Sequence, residues 1–176
     1  MRIRIARDKD WAACLALDLT YETELAWQMA EVRQESVCGA QFREVRLPRK
    51  QTVTPTFMRE SRVQAWERCD AFWVAAERRA IVGYLGLTVA WDRMQVLIVD
   101  VGVAATHRRQ GIATALLQQA TEWALRHQLP YVVLACPLKA QPAIKLAMNQ
   151  HFSFCGFQDA YWSEQTTALF FCKRIR

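Results

Sequence analysis

The stretch that most limits how this chain can fold runs from Met94 to His127. Met94 to Val103 reads Met-Gln-Val-Leu-Ile-Val-Asp-Val-Gly-Val, an almost unbroken apolar run that fits a central strand buried on both faces. Gly111 to His127 then follows a helical period. Ile112, Ala113, Leu116, Leu117, Ala120, Trp123 and Ala124 share one face, while Thr114, Gln118, Gln119, Thr121, Glu122 and Arg126 fall largely on the other. A buried strand feeding an amphipathic helix calls for a sheet with helices packed against it.

The flanking sequence extends the same pattern. Ala71 to Ala76 and Ile81 to Ala90 are β-rich runs parted by Glu77-Arg78-Arg79, a hairpin signal. Pro130 ends the link after the helix, Tyr131 to Ala135 reads as a short strand, and Pro142 to Asn149 as a second helix with proline in its first turn. Phe152 to Phe157 and Thr167 to Cys172 read as closing strands. From Met94 onward the order is strand, helix, strand, helix, strand, strand, which predicts a mixed α/β fold. Upstream, residues 2–6 alternate like a strand, and Asp8 and Asp10 offer helix caps before Trp11, Cys14, Leu15 and Leu17. Residues 25–32 and 41–46 read as strands joined by a turn containing Gly39, Leu47 to Pro55 as an exposed basic loop, and residues 58–68 as a short helix. No repeat, low-complexity tract or Gly/Ser linker divides the chain, so residues 1–176 are expected to form one domain.

Composition narrows the class without choosing a function. Of 176 residues, 52% are hydrophobic and 23% charged, which fits a globular domain and not a disordered one. No run is long and apolar enough for a membrane span, and Met1 to Ile5 lacks a signal peptide's apolar centre, so the expected location is the cytoplasm. The six cysteines are scattered with no Cys-x-x-Cys pair, and the three histidines stand alone. Buried free thiols are expected, with neither a disulfide framework nor a metal site. The net charge of +6 implies an acidic partner but leaves nucleic acid, a membrane surface or a phosphorylated cofactor open.

Spacing decides among these. Arg108-Arg109-Gln110-Gly111-Ile112-Ala113 joins the buried strand to the helix. The first turn of a helix has unpaired N–H groups and partial positive charge, so it attracts anions. Gly111 lets a phosphate approach the backbone, Ala113 is nearly as small, and Arg108 and Arg109 can add charge-assisted bonds. Gly-x-Gly-x-x-Gly and Gly-x-x-x-x-Gly-Lys-Ser/Thr are both absent, so the loop suits a pyrophosphate outside the usual dinucleotide and triphosphate motifs. A nucleic-acid binder would rest on charge alone, with no basic cluster interleaved with aromatics.

The segment Val101 to Leu117 resembles the cofactor motif of the GNAT superfamily of N-acetyltransferases, whose Gln/Arg-x-x-Gly-x-Gly/Ala core is matched by Arg108, Gly111 and Ala113. With the Gly156-Phe157 pair, the resemblance covers roughly residues 71–172. It implies a mostly antiparallel twisted sheet, splayed at a central bulge and flanked by helices, that takes acetyl-CoA as cosubstrate. It also implies that amides of Arg109, Gln110, Gly111, Ile112, Ala113 and Thr114 hold the pyrophosphate. Val101 and Val103 would pair with the pantetheine arm, and Gln141 would stand at the family's asparagine position. Gly102, set in a β-branched run, is the expected bulge residue.

Amide formation from a thioester needs a neutral amine, a donor for the tetrahedral oxyanion and a proton for the departing thiolate. The Val101 or Gly102 N–H is the expected oxyanion donor. Asp100, the one ionisable residue from Val96 to Val103, is the first candidate base, ahead of Glu60 and Glu67. The family's thiol-protonating tyrosine has no counterpart, since Met148 or Phe152 falls where it is expected. Tyr161 or water is left for that role. His107 and His151 read as surface residues. The segment downstream of Cys155-Gly156-Phe157 loosely resembles streptothricin-type small-amine acetyltransferases. Acceptor contacts are expected from Tyr21 to Met29, where Glu22 and Glu24 can attract a cation, and from the Leu47–Pro55 loop. The expected acceptor is a small-molecule or peptide primary amine, and the expected assembly a monomer or homodimer. The alternative is a coenzyme A sensor that keeps the fold without turnover.

Overall fold

A computed structural model describes residues 1–55, 62–78, 80–162 and 166–175. The main sheet has seven strands: β1 (Arg2–Ile5), β4 (Ala71–Glu77), β5 (Ala80–Ala90), β6 (Gln95–Val103), β7 (Tyr131–Pro137), β9 (Ala168–Arg174) and β8 (Ser153–Gln158), in that spatial order. Among the described residues, neighbouring strands run antiparallel except for β6 and β7, which pair in parallel. Helix α3 (Ile112–Arg126) supplies the crossover between those two, as parallel pairing requires. The expected mixed, mostly antiparallel sheet flanked by helices is what the chain forms.

Two apolar cores sandwich this sheet. On one face α3 lays down Ile112, Leu116, Leu117, Ala120 and Ala124, and helix α4 (Gln141–Asn149) adds Ile144 and Ala147. They pack on Leu85, Leu87, Val96, Leu134 and Phe171. On the other face Cys14 of α1 (Trp11–Leu15) and Trp66 of α2 (Arg62–Glu67) pack with Phe72, Val74 and Tyr84. A strand with apolar residues at both parities needs both layers, which is why β6 reads as near-continuous apolar sequence. Asp10 ties β1 to the start of α1. Its carboxylate takes two bonds from Arg4, at 2.6 and 2.8 Å, and one from the Arg7 amide at 2.8 Å.

The upstream half departs from expectation. Strands β2 (Tyr21–Gln34) and β3 (Val37–Val53) form one long two-stranded hairpin. Its turn falls at Glu35 and Ser36, so Gly39 pairs with Val32 inside the ladder instead of making the turn. Most of the expected Leu47–Pro55 loop is strand, because Gln51–Val53 pair with Tyr21–Thr23. Only the stretch around Pro48, which has no N–H to donate, drops out of register. The expected helix over 58–68 is seen as α2, and its first residues lie outside those described. Cys14, Cys69, Cys136, Cys155 and Cys172 are free thiols, but Cys155 is exposed, contrary to the expected burial.

Candidate active site

Strands β6 and β7 pair only from Gln95–Tyr131 to Ile98–Leu134. Beyond that point β6 stays with β5 and β7 stays with β9, so the sheet opens as a wedge. A bulge sits at the same level. Leu87 pairs with Ile98 while Gly86 pairs with Asp100, which leaves Val99 as the extra residue. One extra residue reverses the side-chain alternation. Ile98 and Val101 therefore both contact the α3–α4 core, whereas Asp100 turns to the opposite face beside Tyr84 and Trp66. The expectation of a bulge at Gly102 is thus corrected. Gly102 is a packing glycine, because a Cβ there would lie 2.7 Å from Cε1 and Cζ of the Tyr84 ring.

A groove of about 440 Å³ runs from this wedge to the start of α3. One wall is the edge of β6, Val101 to Val103. The other is an α4 stripe at helical spacing, with Pro142, Ala143, Leu146 and Asn149. Arg109, Gly111, Ile112, Ala113 and Thr114 close the end. Gly111 is the N-cap of α3 with φ +81, and no side chain caps that terminus. Arg109 also takes a left-handed φ of +63. A Cβ at Gly111 would point into open space, so glycine is needed there for its dihedral, and the room it leaves lies in front of bare amides. Uncapped N–H groups and a helix dipole at one end of a largely apolar groove fit an anionic group carrying a long arm.

Arg108 also lines the groove, but its guanidinium donates to carbonyls, Nε to Val103 at 3.2 Å and Nη1 to Thr20 at 2.8 Å, so it clamps the loop onto β6 and the segment before β2. Gln110 is exposed and outside the groove lining. Gln141 also lies outside it, donating to Glu44 of β3 at 3.2 Å. His107 borders the groove, with Nδ1 2.9 Å from Thr106 Oγ1 and Nε2 3.5 Å from Glu77.

Asp100 is buried, and its Oδ2 accepts from Tyr84 Oη at 2.9 Å and Trp66 Nε1 at 3.3 Å, while Arg62 Nε lies 3.8 Å away as an ion-pair partner. Burial pushes its carboxyl above the usual carboxylate range, against the pull of Arg62 and of the Tyr84 and Trp66 bonds. Tyr161 is not in the groove. Its ring packs edge-on against Phe170 and Trp162, and burial raises its phenol. Phe170 pairs with Ala135 and points away from the α3–α4 core, which places Tyr161 on the Asp100 side of the sheet. The phenol that does line the groove is Tyr21, donating to the Lys139 carbonyl at 2.9 Å and pushed up to about 12 by burial. Glu24 pairs with Arg46 at 3.1 Å and Glu22 with Lys50, so both expected acceptor carboxylates are matched across the hairpin. Glu67 is exposed at the end of α2, and Glu60 lies outside the described residues. The α4 wall was missed by sequence reading, although Pro142, Leu146 and Asn149 recur at intervals that one helix face requires.

A splayed sheet with a bare helix terminus at the end of its groove defines the class of fold, and comparison with known proteins gives its family. Residues 40–152 match the Acetyltransferase (GNAT) family, and the chain belongs to that family. It is 33% identical over 94 residues to N-acetyltransferase 8 of Rattus norvegicus, a match covering 51% of this chain and 42% of that protein. The chain thus aligns with less than half the length of that relative. Among solved structures it is similar to nourseothricin acetyltransferase, with a TM-score of 0.83 at 22% identity over 99% of this chain and 98% of the other. It also resembles a putative streptothricin acetyltransferase from Bacillus anthracis str. Ames in complex with acetyl coenzyme A, with a TM-score of 0.77 at 16% identity over 98% of both chains. At such identities these likenesses speak for the fold.

Proposed function

We propose that this chain is an acetyl-CoA-dependent N-acetyltransferase acting on a primary amine. The observation that supports this most is the uncapped, glycine-opened start of α3, facing a groove that ends at the parted edge of β6. Amides of Arg109 to Thr114 hold the pyrophosphate, and Arg108 keeps their loop in shape through Val103 and Thr20. The free edge of β6 at Val101 and Val103 takes the pantetheine arm as an added strand would be taken. Acetyl-CoA supplies an acetyl thioester at the wedge, where the amine nitrogen bonds to the carbonyl carbon and the carbon–sulfur bond breaks.

The chain's own groups then handle the protons. Asp100, on the far face of the bulge, accepts the ammonium proton through water, so that a neutral amine attacks. The Val101 N–H, which bonds to the Asp100 carboxyl in the free chain, is the candidate donor to the oxyanion once the thioester is in place. The Tyr21 phenol, kept protonated by burial, is the groove's proton source for the thiolate, and Tyr161 stands on the acceptor side. The five thiols that are free among the described residues, Cys155 exposed among them, favour a reducing compartment such as the cytoplasm.

Titration calorimetry with acetyl-CoA, followed by mass spectrometry of acetyl transfer to a panel of primary amines, tests this reading. Binding is expected in the wild type and is expected to be lost in Gly111→Glu, which places a carboxylate before the bare amides. Unchanged affinity in that variant would falsify the cradle. Tight binding with no turnover on any amine would leave a coenzyme A sensor. Tyr21→Phe is expected to lower kcat by about 10²-fold, the lower range for loss of a general acid. Tyr161→Phe is expected to alter the acceptor KM instead, and the reverse outcome would exchange the two roles.

A further inference from the structure

Two of the free thiols stand on adjacent strands, Cys155 on β8 and Cys172 on β9. The register brings them to one face of the sheet. Phe171 points into the α3–α4 core, so its neighbour Cys172 points to the opposite face. On β8, Phe154 and Phe157 both meet Phe42 of the hairpin, at centroid distances of 5.5 and 5.1 Å, and Phe154 also meets Phe171. Two like-facing residues three positions apart need an extra residue between them. The register shift between Phe154 and Gly156 supplies it at Cys155. Cys155 therefore shares a face with Cys172, whose direct partner on β8 is Ser153.

The thiols meet there, with the two side chains hydrogen-bonded to each other. Cys155 is exposed and Cys172 half-buried, so a small reagent in solvent reaches the first and finds the second behind it. Cys14 and Cys136 are fully buried instead, and burial pushes the Cys14 and Cys69 thiols up to about 12, which makes them poor nucleophiles. β8 is the last strand in the sheet order. Thiols already in contact on an edge strand need only a small backbone adjustment to bond, and the core packing stays in place.

We propose that Cys155 and Cys172 are a redox-active dithiol that closes to a cross-strand disulfide by exchange with a low-molecular-weight disulfide of the glutathione class. Cys155, having given its proton to water, attacks one sulfur of the small disulfide, whose sulfur–sulfur bond breaks to release one thiolate. Cys172, deprotonated in turn, attacks Cys155 Sγ and expels the second thiolate. The chain loses two hydrogens, and the small disulfide is reduced to two thiols. A reversible bridge of this kind suits a protein whose other cysteines are kept reduced. This inference does not depend on the acetyltransferase reading, because the groove lies between β6 and α4.

The test uses the folded full chain in glutathione buffers of graded ratio, with free thiols then blocked. The tryptic peptide Leu146–Lys173, which holds both cysteines, is expected to lose two hydrogens as the buffer becomes oxidising. Cleaved again after Glu164, it is expected to give two pieces that part only after dithiothreitol. Cys155→Ser and Cys172→Ser are each expected to abolish that loss. If circular dichroism shows Cys172→Ser unfolded, Cys155→Ser, at an exposed position, carries the comparison. A glutathione adduct that persists on Cys155 without a bridge overturns the inference. So does a bridge to another cysteine, a bridge seen only after the chain is denatured, or a chain that stays reduced in fully oxidised glutathione.

Discussion

Gly102 and Tyr84 show how one missing side chain shapes a site. The Tyr84 ring is fully buried and occupies the space where a Cβ on residue 102 would stand, and from there its hydroxyl reaches Asp100. Gly102→Ala is therefore expected to destabilise the fold by about 1–3 kcal/mol, the usual cost of overpacking, as read from denaturant midpoints. A shift below 0.3 kcal/mol, well under that range, would show that the ring can yield. Tyr84→Phe keeps the ring and removes only the donor. That bond lowers the Asp100 carboxyl, so its loss raises it further. A base is lost when it protonates, so the acidic limb of the kcat/KM profile is expected to move to higher pH, with the acetyl-CoA KM unchanged. If Asp100→Asn is slow yet Tyr84→Phe keeps the wild-type limb, Tyr84 does not position the base. If Asp100→Asn turns over normally, Asp100 is not the base at all.

At the scale of elements, what was legible depended on whether neighbours in sequence are neighbours in space. β6, its loop and α3 were readable because each carries its own period and the anion site is made by a local turn. The wedge and α4 wall were also implied by order, although the stripe Pro142, Leu146 and Asn149 faces a groove instead of the core and was passed over. The bulge could not be placed. Gly102 is the residue that looks like a bulge, whereas Val99 is the one left unpaired by the register of β5. The β2–β3 hairpin exceeds the expected strands because Gly39, a turn-like residue, pairs with Val32 inside the ladder, and because Gln51–Val53 find partners at Tyr21–Thr23 beyond the unpaired stretch around Pro48. Asp10 has the sequence position of a helix cap, yet it makes no side-chain cap bond to α1 and instead fastens β1 to the start of α1 through Arg4. That pairing holds the carboxyl down at about 2, below the roughly 3.9 of an unfolded aspartate. A depressed carboxylate stabilises the fold above its unfolded value and stops doing so as pH falls through the folded one. Asp10→Asn is thus expected to cost on the order of 2 kcal/mol at pH 7. The gap to wild type should close as the pH approaches 2. A gap that stays constant across that range would mean that packing, and not charge, fastens the two elements.

For the whole molecule, the wedge divides the main sheet into β1-β4-β5-β6 and β7-β9-β8, joined along only the four residue pairs from Gln95–Tyr131 to Ile98–Leu134. Helices α3 and α4 cover that seam, and the proposed cosubstrate would lie along it, touching β6 on one side and α4 on the other. A ligand that bridges two halves of a native sheet has nothing equivalent to hold in the unfolded chain, so its binding free energy adds to stability. At a hundredfold excess over Kd the gain is about 2.7 kcal/mol. For a domain of this size that corresponds to a rise in Tm of roughly 5–10 °C. Scanning calorimetry with coenzyme A is expected to show such a rise in the wild type and none in Gly111→Glu. The amides of Val101 and Val103, on the open edge of β6, are expected to gain hydrogen-exchange protection at the same time. A stabilisation without that local protection would place the ligand elsewhere, and the wedge would then be a feature of the fold with no part in holding the thioester.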